Sequence, residues 1–268
     1  MENLIKRGFI PFDKSWIIRM AVLDLINNYD DSTKFLKENY EKLSDDLKSL
    51  YNSLIQWNSE KPINVGESGT LYRFLKFASW KTGKNKEFIL EGTLKNRKIC
   101  DNPLIINLPL KKLLTLDNKT SQWASASVLM GNSEKIPNPP YKLQLTYNSV
   151  EHWKNARKNK KIWEPKYDKT ILVQAQTYLK FLETGQMQFN PKQAEDYCFA
   201  RAFNIINAKQ GKEKWPSLIG HETNRITEME NFLDKDELTS KDHRVVQAIA
   251  MLKKGKIKIK HPDLSSYP

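Results

Sequence analysis

The chain has 268 residues, 39% of them hydrophobic, with 44 Lys and Arg against 31 Asp and Glu for a formal charge of +13. That apolar content supports one substantial core or two small ones and excludes a disordered tail. A mean hydropathy of −0.64 leaves no obvious membrane span, and Met1-Glu2-Asn3-Leu4-Ile5-Lys6-Arg7 lacks the apolar core of a signal peptide, so a cytoplasmic protein with no membrane partner is expected. Cys100 and Cys198 are far apart and lack metal-ligand spacing, which reads as two reduced thiols. No zinc motif, P-loop or GxSxG elbow occurs, so neither metal nor cofactor is expected.

In chain order, the first element begins at Pro11-Phe12-Asp13-Lys14-Ser15 and runs through Trp16 to Ile26, an apolar stretch of helix length. Ser15 and Arg19, four apart, project from one face of its first turns beside Lys14. Next, Gly66-Glu67-Ser68-Gly69-Thr70 precedes Leu71-Tyr72-Arg73, where glycines let backbone N–H groups approach an anion at a helix start. Arg97 follows in a loop, and Thr120-Ser121-Gln122 before Trp123 sets hydroxyls and an amide at another helix start. Trp16, Trp123, Phe74, Phe77 and Trp80 recur with helical apolar neighbours and are expected in the core. The basic stretch 153–165, ended by Pro165, reads as a domain boundary, either a hinge or basic patch or a solvated loop.

Farther on, Asn190 to Tyr197 reads as a helix start. Gly220-His221-Glu222-Thr223-Asn224-Arg225 and Asp242-His243-Arg244 gather arginines, histidines and acids at two more helix starts, which collect anions because the first N–H groups lack partners and the helix dipole is positive there. Asp242 can cap a helix with apolar positions Val245, Val246, Ile249 and Leu252. Each segment alone fits an ordinary capped helix end.

Taken in order, DKS-xxx-R (13–19), SDD (44–46), G-x-SGT-xx-R (66–73), the Arg97 loop, TSQ (120–122), HETNR (221–225) and DHR (242–244) resemble 5-enolpyruvylshikimate-3-phosphate synthase, the shikimate-pathway enolpyruvyl transferase family. The resemblance covers most of the chain, with poor matching in the spacers. It implies an α/β, two-lobed fold of βαβαββ units, shortened in both lobes, with residues 13–165 as one lobe and 1–12 plus 166–268 as the other. It implies transfer of the enolpyruvyl group of phosphoenolpyruvate to the 5-hydroxyl of shikimate-3-phosphate, in aromatic amino-acid biosynthesis, by a monomer.

Position by position, the resemblance assigns Ser15, Arg19, Thr120 and Ser121 to shikimate-3-phosphate. Asn138 stands where the family commonly has a serine for the same phosphate, and Gln122 lies between the two ligands. Lys14, Arg97, Arg225 and Arg244 fall to phosphoenolpyruvate, the last two at its carboxylate, and Gly69 joins the substrate-binding set. Glu222 matches a glutamate implicated in proton transfer, and His221 replaces a lysine, so Glu222, His221 and Lys14 are the candidate catalytic groups. Arg73 and Asp46 match too, with a structural ion pair as an equal reading.

The chain departs from the family where a strand aspartate should act on the substrate hydroxyl: Phe203 to Lys212 supplies no such acid. A C-terminal lysine is replaced by Ser265, Glu67 stands for an asparagine, and helix-length stretches are missing after Leu104 and before Trp215. A catalytically impaired relative that binds phosphorylated ligands or a protein partner is the alternative. Nucleic acid, suggested by Trp153, Trp163 and Tyr167 among lysines, ranks lower because the basic residues are dispersed and no standard motif appears.

Overall fold

The computed structural model describes residues 11–117, 120–186, 196–215, 218, 224–240, 242–253 and 256–259. The chain divides into two compact units, Lys14–Lys166 and Met1–Asp13 with Tyr167–Pro268.

The Lys14–Lys166 unit is built on a largely apolar helix that is buried on every side. In α1 (Lys14–Ile26) every residue from Trp16 to Asp24 is buried, the signature of a central helix. Around it stand α2 (Asp31–Glu38), α3 (Asp45–Gln56), α4 (Gly69–Lys81), the single turn α5 (Leu110–Leu113), α6 (Gln122–Leu129) and α7 (Tyr141–Lys158). The outer helices bury one stripe: Leu47, Leu50 and Leu54 of α3 recur at i, i+3 and i+7, each contributing about 1.5–3 kcal/mol by leaving water. α6 is buried from Trp123 to Leu129. Trp16, Phe74, Phe77 and Trp123 are in the core, while Trp80 is partly exposed and stacks on Trp123 at 5.8 Å.

Asp24, deep in α1, ties the end of this unit together. Its Oδ1 accepts from Trp153 Nε1 (2.7 Å) and Arg157 Nη2 (2.6 Å), and its Oδ2 from Trp163 Nε1 (2.8 Å) and both the backbone N and the hydroxyl of Ser32. Arg157 also pairs with Asp31 and lies 3.9 Å from the Tyr29 ring centroid. The stretch read as a boundary thus contains two tryptophans anchored on one carboxylate, with residues 158–162 exposed. Trp153 and Trp163 are buried and offer no stacking strip.

In the second unit, Phe12 pairs with Tyr167 in an isolated antiparallel bridge, rings stacked at 5.1 Å. Then come α8 (Lys169–Thr184), α9 (Asp196–Ala202), α10 (Ala208–Lys214), α11 (Arg225–Phe232) and α12 (His243–Leu252). Ile171, Tyr197, Phe199, Trp215, Val245 and Ile249 are among its buried core. Asn207 and Gln210 form a reciprocal capping box at α10, so the stretch where an acid-bearing strand was expected is a helix start.

The α/β fold of βαβαββ units implied by the resemblance is contradicted. Among the described residues the strands are β1 (Ile63–Asn64), β2 (Phe88–Ile89), β3 (Glu237–Leu238) and β4 (Lys258–Ile259), forming two parallel pairs, β1 with β2 and β3 with β4. A parallel sheet covered on both faces needs near-continuous branched apolar runs, strand after strand. Here such runs are cut short by charge and amide, as in Pro62-Ile63-Asn64-Val65 and Glu87-Phe88-Ile89, whereas 3.6-residue periodicity persists through the long segments and makes helices.

Candidate functional site

The most developed arrangement grows from β1, α4 and β2, a strand–helix–strand crossover in which both strands end beside the start of α4. Ligands of parallel sheets gather at the carboxyl ends of strands, where loops and helix amino ends meet. The turn after β1 is fixed in several places. Gly66 has φ +59°, and a Cβ there would sit 2.7 Å from Ser49 Oγ, so a side chain at this position would be strained and would have to displace the serine hydroxyl. Asn64 accepts from Gly66 N (2.8 Å) through Oδ1 and donates to Glu91 through Nδ2 (2.7 Å). Glu91 N donates to Gly66 O (2.9 Å), joining the turn to the segment that leads to Arg97.

Helix α4 then opens on Gly69. A Cβ on Gly69 would lie 3.0 Å from Arg73 Nη1 and 3.3 Å from Arg97 Nη1, so two guanidinium groups flank one bare Cα at a helix amino end. They play different parts. Arg73 is buried and its donors turn inward: Nε to Asp117 Oδ2 (2.8 Å), Nη1 to Gly69 O (3.1 Å) and to Gln122 Oε1 (2.7 Å). Asp117 also accepts from Trp123 Nε1 and Cys100 N, both at 2.7 Å. Gln122, the first residue of α6, donates to Thr70 Oγ1 (2.7 Å). Arg97 is exposed, with Nη2 3.3 Å from Thr93 Oγ1, and sets its charge at the solvent side of the same turn. The structural reading suits Arg73; anion contact suits Arg97.

At the start of α1, Lys14 pairs with Asp46 at 2.8 Å, both partly exposed. Ser15 Oγ accepts from Lys142 (3.0 Å). Arg19 is buried and spends every nitrogen on its own chain: Nε on Thr146 Oγ1 (2.7 Å), Nη1 on Ser15 O (2.8 Å) and Nη2 on Lys142 O (3.1 Å). Arg19 is thus a structural hub here. Thr120 Oγ1 accepts from Gln122 N (3.3 Å), and Ser121 precedes α6. Asn138 is exposed, in the left-handed region at φ +48°, a conformation asparagine tolerates well. Of the sequence-predicted groups in this unit, the structure brings together Gly69, Arg97 and Gln122, with Arg73 between them.

In the second unit, Arg225 opens α11 and is buried against Asp242 (Nε–Oδ2 2.9 Å). The other oxygen of Asp242 caps α12, accepting from Arg244 N (2.9 Å) and Val245 N (3.4 Å), so one carboxylate links the two arginines. Arg244 reaches Asp168 at 3.5 Å and Gln247 Oε1 at 3.0 Å, and its buried Nε has no acceptor among the described residues. His221 and Glu222 lie outside the described residues. Among the described residues no group of three His, Cys, Asp or Glu is placed to hold a metal, and no helix is long and apolar enough to cross a membrane.

Two acids that organise these sites, Asp117 and Asp168, were missed by sequence reading. Their arginine partners are 44 and 76 residues away, beyond any local pattern. Comparison with protein-family models, curated proteins and solved structures returns no match.

Proposed function

We propose that the chain transfers the enolpyruvyl group of phosphoenolpyruvate to the 5-hydroxyl of shikimate-3-phosphate, releasing inorganic phosphate. The observation that carries this reading is the start of α4: a bare glycine at a helix amino end, flanked by Arg97 and Arg73, at the carboxyl ends of two parallel strands. Backbone N–H groups and a guanidinium at the solvent side of the turn are what a phosphoryl group needs, and the ordered motifs supply the choice of ligand.

In the reaction the substrate hydroxyl attacks C2 of phosphoenolpyruvate while C3 gains a proton. The tetrahedral adduct then loses phosphate from C2 and a proton from C3, restoring the enol ether. Arg97 and the α4 amino end would hold the phosphate, whose negative charge grows as it leaves. Glu222, with His221, would move the protons as general acid and base, and Lys14 would add positive charge. In the second unit, Arg244, with an unused buried Nε, is the better candidate of the two arginines for a carboxylate.

A binding protein without turnover is the second reading. It is favoured by the neutralisation of Lys14, Arg225 and Arg244 by Asp46, Asp242 and Asp168 and by the missing strand aspartate. Phosphate release from phosphoenolpyruvate, measured with and without shikimate-3-phosphate, separates the two. Release that requires both ligands and disappears in Glu222→Gln supports transfer. Binding of both ligands with no release leaves only the second reading.

A further inference from the structure

The helices that present the glycine turn also end together. Gln122 of α6 bonds Thr70 of α4 and Arg19 of α1 lies over Phe74 of α4, so their early turns are neighbours. Their last turns line a cavity of about 740 Å³, closed on another side by α7. This volume falls in the range of about 300–1,000 Å³ typical of small-molecule sites, and it sits at the opposite ends of these helices from Gly69.

The wall is apolar where Ile26, Val150 and Trp153 contribute, and Lys81, Lys135 and Lys154 stand around it with Glu151 as the single carboxylate. Helix ends carry partial negative charge in their last carbonyls, but here several are already satisfied. Asn27 Nδ2 donates to Leu23 O (2.8 Å), Thr82 Oγ1 to Ala78 O (2.8 Å) and Gly131 N to Val128 O (3.1 Å). The charge left facing a guest is that of three ammonium groups against one carboxylate. Lys135 rests on the Tyr147 ring at 4.0 Å, which holds its charge at the rim.

We propose that this cavity binds an amphipathic organic anion, with its apolar body against Ile26, Val150 and Trp153 and its carboxylate or sulfonate head among Lys81, Lys135 and Lys154. An apolar wall alone would accept any tail; the lysine rim selects the anion. A cation of the same tail is disfavoured by the same three charges.

The test is calorimetric titration of the full chain at low ionic strength with octanoate and with octylammonium. The expected result is one octanoate per chain, with octylammonium at least about tenfold weaker, since three partly screened charges each contribute a modest amount. The triple variant Lys81→Ala/Lys135→Ala/Lys154→Ala, which alters only exposed side chains, should weaken octanoate about tenfold. Val150→Trp, which fills the cavity, should abolish binding. No octanoate binding, equal binding of octylammonium, several octanoates per chain, or binding untouched by both variants would overturn the proposal. None of these readouts depends on enolpyruvyl transfer.

Discussion

Replacing Gly69 by alanine separates ligand binding from stability. The new methyl would stand 3.0 Å from Arg73 Nη1 and 3.3 Å from Arg97 Nη1. Arg97 is exposed and can give way by a few tenths of an ångström. Arg73 cannot do so freely, because Asp117, Gln122 and the Gly69 carbonyl hold it at 2.7–3.1 Å. The contact therefore costs a few tenths of a kcal/mol up to about 1 kcal/mol, while alanine in a helix gains about 0.5–1 kcal/mol over glycine. Net stability should change by less than about 1 kcal/mol, read from urea unfolding. Affinity for phosphoenolpyruvate should fall much further, because the methyl occupies the approach to the α4 amino end; a loss of about 1.4–2.8 kcal/mol corresponds to tenfold to hundredfold in Kd. Titration calorimetry on both proteins measures it. Unchanged affinity in a folded Gly69→Ala protein would refute the placement of the phosphate at this turn.

Asp24→Asn keeps the shape of the carboxylate but sets an amide NH2 against at least two donors. With about 1–3 kcal/mol per unsatisfied buried group, the Lys14–Lys166 unit should lose about 2–6 kcal/mol, seen as an earlier tryptophan-fluorescence transition in urea; a loss under about 1 kcal/mol would contradict the hub. Arg225→Ala leaves Asp242 buried without its cation, so a loss of about 3–5 kcal/mol in thermal or urea unfolding should accompany any loss of activity. Activity loss in that variant at unchanged stability would instead mark direct ligand contact. His152 lies edge-on to Trp16 at 5.2 Å, and burial, with Lys166 nearby, lowers its pKa from 6.5. Its contribution is present above pH 6.5 and is lost as pH falls through that value toward the folded pKa, so His152→Phe should flatten the decline of stability between about pH 7 and 5; an unchanged slope counts against it.

The helix starts were legible because their chemistry is local. Asp242 caps α12 through side-chain oxygen and backbone N–H groups two and three residues on, a pattern the sequence displays, and the apolar run of α1 makes a buried helix as its composition requires. The sheet was misread because the resembling motifs sit at helix starts, whose local form is shared by many architectures, while the spacers decide whether strands extend. Those spacers lack the branched apolar runs of a buried parallel sheet. The carboxylate hubs were hidden for a different reason: Asp24 meets Trp153 and Trp163 across 129 and 139 residues. One signal was present, a lone acid inside the apolar run Val22-Leu23-Asp24-Leu25-Ile26, because a carboxylate buried there must be supplied with donors. The pairing of Lys14 with Asp46 was within reach of the motif match; that of Arg73 with Asp117 was not.

The most direct test of enolpyruvyl transfer is a phosphorus NMR time course of the purified protein with phosphoenolpyruvate and shikimate-3-phosphate. With transfer, the phosphoenolpyruvate line declines while inorganic phosphate and one new phosphorylated product grow in equal amounts. Lines of both ligands that persist unchanged in area, even if broadened by binding, would contradict it.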